Sequence, residues 1–266
     1  MAGLRLLEDK SLCKRVILVR LLLARALNFL YWRTGLGVFR VISNRLAKGV
    51  VVRADYVYLV LSCISDLSMA RPDYEEKVFD WMVRVLNSRG RGSVFIDVGA
   101  SIGRHSLSIA KLFPESLIVA VEPDPDAYEA LVRGIELNGV SNVKALPAAL
   151  SDVDGYVALC RKLSTTESSV VECNNFLETV KVRSRRLDTL VNELGLRRVD
   201  LVKIDVEGAE LKVLMGALNT LRRFKPALVV EIRERNKEEF LKLMSSLGYR
   251  CDVIDGENVS CTSAGV

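Results

Sequence analysis

Five acidic side chains stand at or just beyond the ends of short apolar runs: Asp97, Glu122, Asp205, Glu207 and Glu231. In Val94-Phe-Ile-Asp-Val-Gly-Ala-Ser-Ile-Gly103, three apolar residues lead into Asp97, and Gly99 and Gly103 follow. Glycines there let the backbone turn sharply and approach a ligand, and the next helix points free N–H groups at the same place. The spacing is acid-x-Gly-x-x-x-Gly, which differs from the Gly-x-Gly-x-x-Gly that seats a pyrophosphate. An acid inside the turn repels phosphate and suits a cationic amino-acid tail. S-adenosylmethionine (SAM) has such a tail, an ammonium group, and carries no phosphate.

The other acids extend this pattern. Glu122 lies at the tip of the run Leu117–Val121, where a carboxylate can take both ribose hydroxyls of an adenosine; Asp124 or Asp126 suits the cap of the following helix better. Ser151-Asp152 follows the next run, beside an adenine or in a simple turn. Asp200-Leu-Val-Lys-Ile-Asp-Val-Glu-Gly-Ala-Glu210 is the second dense stretch. Strand alternation sends Lys203, Asp205 and Glu207 to one side, at a strand end where α/β sheets bind ligands. Charges massed there are costly unless paired or used, so Lys203 either neutralises Asp205 or shares its chemistry. Glu231 closes the run from Pro226, and the single histidine, His105, falls inside the first helix.

The elements that must position these groups alternate. Buried strands are expected at 94–98, 117–121, 143–150, 200–204 and 226–231, with helices between them and one unbroken helix from Leu211 through Leu221. Tyr74, Val78, Phe79, Trp81, Met82, Val85 and Leu86 recur at helical spacing as a core-facing stripe. Residues 155–186 break into short alternating pieces, including Ser168–Val171, with a Ser/Thr-rich, flexible stretch at 162–169; they read as an antiparallel insertion covering the site. Tyr249–Ile254 and Val259–Cys261 form a terminal hairpin. The fold class is therefore α/β, a doubly wound Rossmann-like sheet with an antiparallel C-terminal edge over residues 71–266. Residues 1–70 form a mostly helical extension that ends in a strand or hairpin arm around Val50–Val60.

The net charge of +5 over 266 residues hides an asymmetry: residues 1–53 carry +9 and the remainder −4. An anionic partner should meet the N-terminal leg. Val16–Trp32 is strongly apolar but interrupted by Arg20 and Arg25, which excludes an ordinary spanning helix and a secretory signal. It reads as a helix docked on the body, with an in-plane helix against lipid headgroups as the second reading. The six cysteines include no Cys-x-x-Cys pair, and with one histidine they give no ground for a metal site. Free thiols in a reducing cytoplasm are the default. The absence of glutamine suits a thermophile, in which Cys160–Cys173 or Cys251–Cys261 could pair.

Taken in order, Ile96–Gly103, Val121–Pro125, Ala149–Asp152, Leu187–Leu190, Lys203–Glu210, Leu214–Ala217 and Pro226–Glu231 resemble the FkbM-type SAM-dependent methyltransferases. The resemblance covers roughly residues 74–254, and Lys-Ile-Asp-Val-Glu-Gly-Ala-Glu is its most specific block. It implies SAM as cofactor and O-methylation of hydroxyls on sugars, glycolipids or other secondary metabolites. It also implies that Asp97, Gly99 and Gly103 cradle the methionine end, Glu122 binds the ribose, and Ser151 and Asp152 border the adenine. Ser101 stands where the family usually has Asn and keeps one of its hydrogen bonds. Asp205, Glu207 and Glu231 then line the acceptor side beside Lys203. Asp205, or Glu207, is the expected base for the hydroxyl proton, with His105 the alternative. An NAD-linked oxidoreductase lacks its glycine motif here, and an RNA methyltransferase lacks its Asn-Pro-Pro-Tyr or Pro-Cys block. A non-catalytic scaffold leaves the acids unexplained. A cytoplasmic enzyme acting on a small or glycan acceptor is expected, with peripheral membrane contact through the basic leg.

Overall fold

The computed structural model describes residues 11–161 and 178–263. Two helices, α1 (Ser11–Thr34) and α2 (Gly37–Ala47), precede an antiparallel hairpin of β1 (Val51–Ala54) and β2 (Val57–Val60). A 3-10 helix, Ile64–Ala70, and α3 (Glu76–Arg89) lead into the sheet. Its parallel strands are β3 (Val94–Val98), β4 (Leu117–Val121), β5 (Val143–Leu146), β9 (Leu201–Ile204) and β10 (Ala227–Glu231). The helices that join them are α4 (Arg104–Leu112), α5 (Pro125–Asn138), α6 (Leu187–Glu193), α7 (Glu210–Met215) and α8 (Leu218–Phe224). After α9 (Glu234–Ser246) the chain ends in β11 (Tyr249–Asp255) and β12 (Asn258–Ser263). The sheet order is β11-β12-β10-β9-β3-β4-β5, with β12 antiparallel to both its neighbours. The order reverses direction at β3, so the exits of β3 and β9 flank the switch point where α/β sheets bind ligands.

Alternation along β3 divides the core. Ile96 faces a cluster with Val119, Val202, Leu228, Leu214 and Phe240. Phe95 faces the opposite layer, with Ile118, Leu201, Val229 and the stripe Val78, Met82 and Leu86 of α3. The β1–β2 hairpin packs its Val52 and Leu59 with Ile102, Leu107 and Ala130 of the body. Asn138 also clamps the backbone of Tyr58, accepting its N–H at 2.8 Å and donating to its carbonyl at 2.6 Å. Helix α1 docks along one face only: Leu21 and Ala24 are buried, while Leu22, Phe29 and Trp32 are exposed.

Three expectations are corrected. Residues 143–150 are two strands, because Pro147 has no N–H for the ladder; β6 (Ala149–Leu150) leaves the main sheet and pairs with β8 (Glu178–Arg185). With β7 (Gly155–Arg161) antiparallel to β8, these form a small second sheet. The arms expected at 162–177, including Ser168–Val171 and the Ser/Thr-rich stretch, lie outside the described residues. The helix expected through 211–221 breaks into α7 and α8 at Gly216-Ala217. Gly216 sits against the backbone of Ser151, where an added Cβ would lie 2.0 Å from the carbonyl oxygen. The Gly216 carbonyl accepts the Asp188 N–H at 3.0 Å, and the Asp188 carboxylate accepts the Asn219 and Thr220 N–H groups at the start of α8. Finally, Cys251 and Cys261 are not free thiols: they face each other across β11 and β12 and form a disulfide.

The close contact makes Gly216→Ala costly. We expect a loss of about 2–3 kcal/mol, a fall of roughly 5–10 °C in the unfolding midpoint by calorimetry. Gly37→Ala has open space around the new carbon and should leave the midpoint within about 2 °C.

Candidate active site

A cavity of about 280 Å³ opens over the carboxyl ends of β3, β4, β9 and β10. Val98, Gly99 and Ser101 line it from the β3 exit, Val121, Glu122 and Pro123 from the β4 exit. Asp205, Val206 and Glu207 come from the β9 exit, and Glu231 from the end of β10. Ala148, Ala149, Leu150 and Leu159 close one side; Ser68, Met69, Tyr74 and Glu75 close the other. Gly99 lets two strand exits touch: a Cβ there would lie 1.8 Å from the Asp205 carbonyl oxygen, and its φ is 81°. Among the described residues, five that are not glycine adopt left-handed backbone, and three of them, Glu75, Ser101 and Glu207, line this cavity. Such backbone costs about 1–2 kcal/mol per residue and gathers where function holds it in place.

A charge network forms the side of the cavity around Lys203. The buried Lys203 Nζ lies 2.9 Å from Asp205 Oδ2. Burial opposes its charge, but Asp205, Glu75 and Asp97 together hold it well above the usual lysine value. Asp205 repels negative charge on Glu231, and with burial and a hydrogen bond between the two carboxyls this raises Glu231 to about 9. Glu231 therefore keeps its proton at neutral pH. Burial would also raise Glu75, yet the Lys203 charge and His105 pull it down to about 2. Glu75, Asp205 and Glu231 bring one oxygen each within 4.8 Å of one another, a spacing that fits a small cation. Lys203 already supplies positive charge there.

On the other side, Glu122 accepts the Ser101 N–H and the Asp124 N–H, both at 2.7 Å. Burial raises it to about 8, with Asp124 and Asp97 adding to the shift. Two buried atoms in this region have no hydrogen-bond partner: Ser101 Oγ and Asp97 Oδ1. Buried polar atoms are normally paired, so these mark places for a ligand's donors. A donor beside Asp97 fits an ammonium group, and a hydroxyl or amine beside Ser101 Oγ fits the same ligand. The cradle left by Gly99 and the acidic lining complete a set that suits SAM and repels a phosphate.

Of the residues singled out by sequence, Gly99, Ser101, Glu122, Asp205, Glu207 and Glu231 meet in the cavity. Asp97 lies under its floor, accepting the Ser106 hydroxyl at 2.6 Å through its other oxygen. Gly103 is one turn behind, where an added Cβ would strike Leu131, so its part is helix packing. Ser151 and Asp152 bond to each other just past the wall, which Ala148 to Leu150 form instead. Glu207 is held by Arg233 at 2.8 Å and is not a free base. His105 does not face the cavity; it is buried beside Tyr74 and Phe79, with Nε2 2.7 Å from Glu75. The residues missed by sequence reasoning are Glu75, Tyr74 and Arg233. Glu75-Glu76 reads as ordinary acid at a helix start, and nothing local shows that Glu75 turns left-handed into the site.

The methyltransferase FkbM domain model matches residues 97–251. The chain belongs to the FkbM family of SAM-dependent methyltransferases. Membership implies SAM as methyl donor, in agreement with the unpartnered atoms and the acidic cradle. Methyltransferase sdnD of Sordaria araneosa is 36 % identical over 152 residues, covering 46 % of this chain and 59 % of that protein. The 2-O-methyltransferase NoeI of Sinorhizobium fredii is 28 % identical over 147 residues, 49 % of this chain and 59 % of its own length. The hexuronic acid methyltransferase AglP of Haloferax volcanii is 26 % identical over 167 residues, 60 % of this chain and 65 % of its own length. The chain thus spans less than two thirds of each of these three relatives.

The raised acids set a pH dependence. Folded Glu122 and Glu231 hold protons to about 8 and 9, whereas the unfolded chain releases them near 4.5. Their stabilising contribution is complete below about 4.5 and is lost as pH rises through 8 and 9. Without SAM, the unfolding midpoint should therefore fall between pH 5 and 9, and Glu122→Gln should remove the part that ends near pH 8. A midpoint that rises across this range would contradict both assignments.

Proposed function

We propose that this FkbM-family chain methylates a hydroxyl of a sugar, glycolipid or similar small acceptor, with Asp205 receiving the hydroxyl proton. One observation carries this reading: Asp205 and Glu231 line one cavity together with Gly99, Ser101 and Glu122, and a buried lysine lies 2.9 Å from Asp205. Bound there, SAM supplies an electrophilic methyl group on a sulfonium centre. Asp97, whose Oδ1 has no partner among the described residues, would hold the ammonium from beneath the cavity floor, and Glu122 would accept the ribose hydroxyls. Ala148 to Leu150 and Leu159 give the adenine an apolar wall. Asp205 orients the acceptor hydroxyl and draws off its proton as the oxygen–carbon bond forms. Lys203 lies against Asp205, and Glu75 adds to the compensation of the lysine charge. Positioning supplies much of the acceleration, because the oxygen must lie in line with the bond that breaks.

The relatives named as a 2-O-methyltransferase and a hexuronic acid methyltransferase support sugar hydroxyls as the acceptor class. Lys203 fills the electrostatic role of a cation beside the three acids, so we propose that turnover needs no added metal. Activity should stay within about twofold after chelation by EDTA; a loss restored by Mg²⁺ would place a metal on Glu75, Asp205 and Glu231 instead.

Methyl-labelled SAM incubated with an extract of the source cells, then split into lipid, glycan, RNA and protein fractions, identifies the acceptor class. Label in glycan or glycolipid is expected; label in RNA would overturn the proposal. With the acceptor in hand, Asp205→Asn should lower kcat by roughly 10²–10⁴ while the Kd for SAM changes less than about threefold. Full turnover in that variant would exclude Asp205 as proton acceptor.

A further inference from the structure

The first two helices are built inside out. Between them lie polar groups: Arg20 Nε donates to the Leu46 carbonyl at 3.1 Å, Ser43 Oγ to the Ala24 carbonyl at 2.7 Å, and the buried Arg40 guanidinium to Asn28 and Ser65. The outer face of α1 is apolar along its described length, with Leu22 56 %, Phe29 67 % and Trp32 73 % exposed. Val38, Val41 and Ile42 continue that face on α2. A water-facing helix shows the reverse arrangement. Apolar patches of this extent on a soluble surface mark a site of interaction.

Charge identifies the partner. From Ser11 to Ala54 the chain has nine Lys or Arg and no Asp or Glu. Arg25, Arg33 and Arg45 are exposed at the margins or ends of the apolar face, and Tyr31 and Trp32 stand at its far end beside Arg33. A second copy would press this positive surface against its own like. A bilayer with anionic headgroups takes both parts, with arginines and aromatics at the headgroups and aliphatic side chains below them. No described helix is long and apolar enough to cross a membrane, so α1 would lie in the plane.

We infer that the α1–α2 hairpin is a membrane-binding surface that seats this protein on an anionic bilayer. It also adjoins the cavity: the 3-10 helix that gives Ser65 to Arg40 gives Ser68 and Met69 to the cavity wall. The inference concerns attachment and stands whatever the acceptor is.

Flotation of the full chain with phosphatidylcholine vesicles, with and without phosphatidylglycerol, tests it. The protein should float with the anionic vesicles, less well as salt rises, and poorly with neutral ones. Leu22→Ser/Phe29→Ser exchanges two exposed side chains, so its unfolding midpoint should match wild type while vesicle partitioning falls at least roughly tenfold. Arg25→Glu/Arg33→Glu should lose the preference for anionic vesicles. Wild-type protein that stays with the soluble fraction at low salt would overturn the inference, as would undiminished flotation of the Leu22/Phe29 variant. A dimer in sedimentation that the same variant dissolves, with no vesicle binding by wild type, would make the face a contact between copies.

Discussion

Lys203 carries an ammonium group into the middle of a parallel sheet, where only 3 % of the residue meets water. A lone charge there would lose its proton or destabilise the fold. Its register partner on β3 is Asp97, Asp205 lies 2.9 Å away, and the charge on Glu75 adds to the compensation. The position of each of these acids follows from the need to satisfy this lysine. Asp205 lines the cavity beside the lysine, Glu231 is driven to keep its proton, and Glu75 is held below the usual carboxylate range. His105 and Tyr74 in turn support Glu75 from behind. The reactive side of the cavity is thus one electrostatic unit, and its members are not independent in mutation.

Close backbone packing sets where that unit sits. Gly99 brings the β3 exit against the Asp205 carbonyl, and Gly216 brings the start of α8 against Ser151. The first contact joins the β3 and β9 exits that line the cavity. The second anchors the corner where Pro147 releases the chain from the main sheet into the smaller one. The strained residues Ser101, Glu75 and Glu207 are carried by these rigid surroundings, with Glu207 further pinned by Arg233.

Much of this was legible from local pattern. Apolar runs of three to five residues leading into acids located β3, β4 and β10, and the Lys-Ile-Asp-Val-Glu-Gly-Ala-Glu block placed Lys203, Asp205 and Glu207 together. Where packing overrides pattern, the reading failed. Leu211 to Leu221 keeps helical spacing, yet Gly216 must approach Ser151 and the helix breaks there. His105 carries the right chemistry but sits behind the cavity against Glu75, and side-chain direction past a turn has no one-dimensional signature. Glu75 was invisible because its left-handed backbone and its contacts to Lys203 and His105 come from tertiary structure. The apolar stretch Val16–Trp32 was recognisable, while the inversion that turns its arginine and asparagine inward depends on α2 and the 3-10 helix.

The central claim is that a cavity lined by acids, two of them protonated at rest, recognises the cationic methyl donor. It is tested most directly by titrating SAM into the protein at pH 7 in two buffers of different ionisation enthalpy. A cationic ligand beside Glu231, with ribose hydroxyls on Glu122, should favour their charged forms, so the account predicts binding with net proton release. Binding with net proton uptake, or no binding at all, would contradict it.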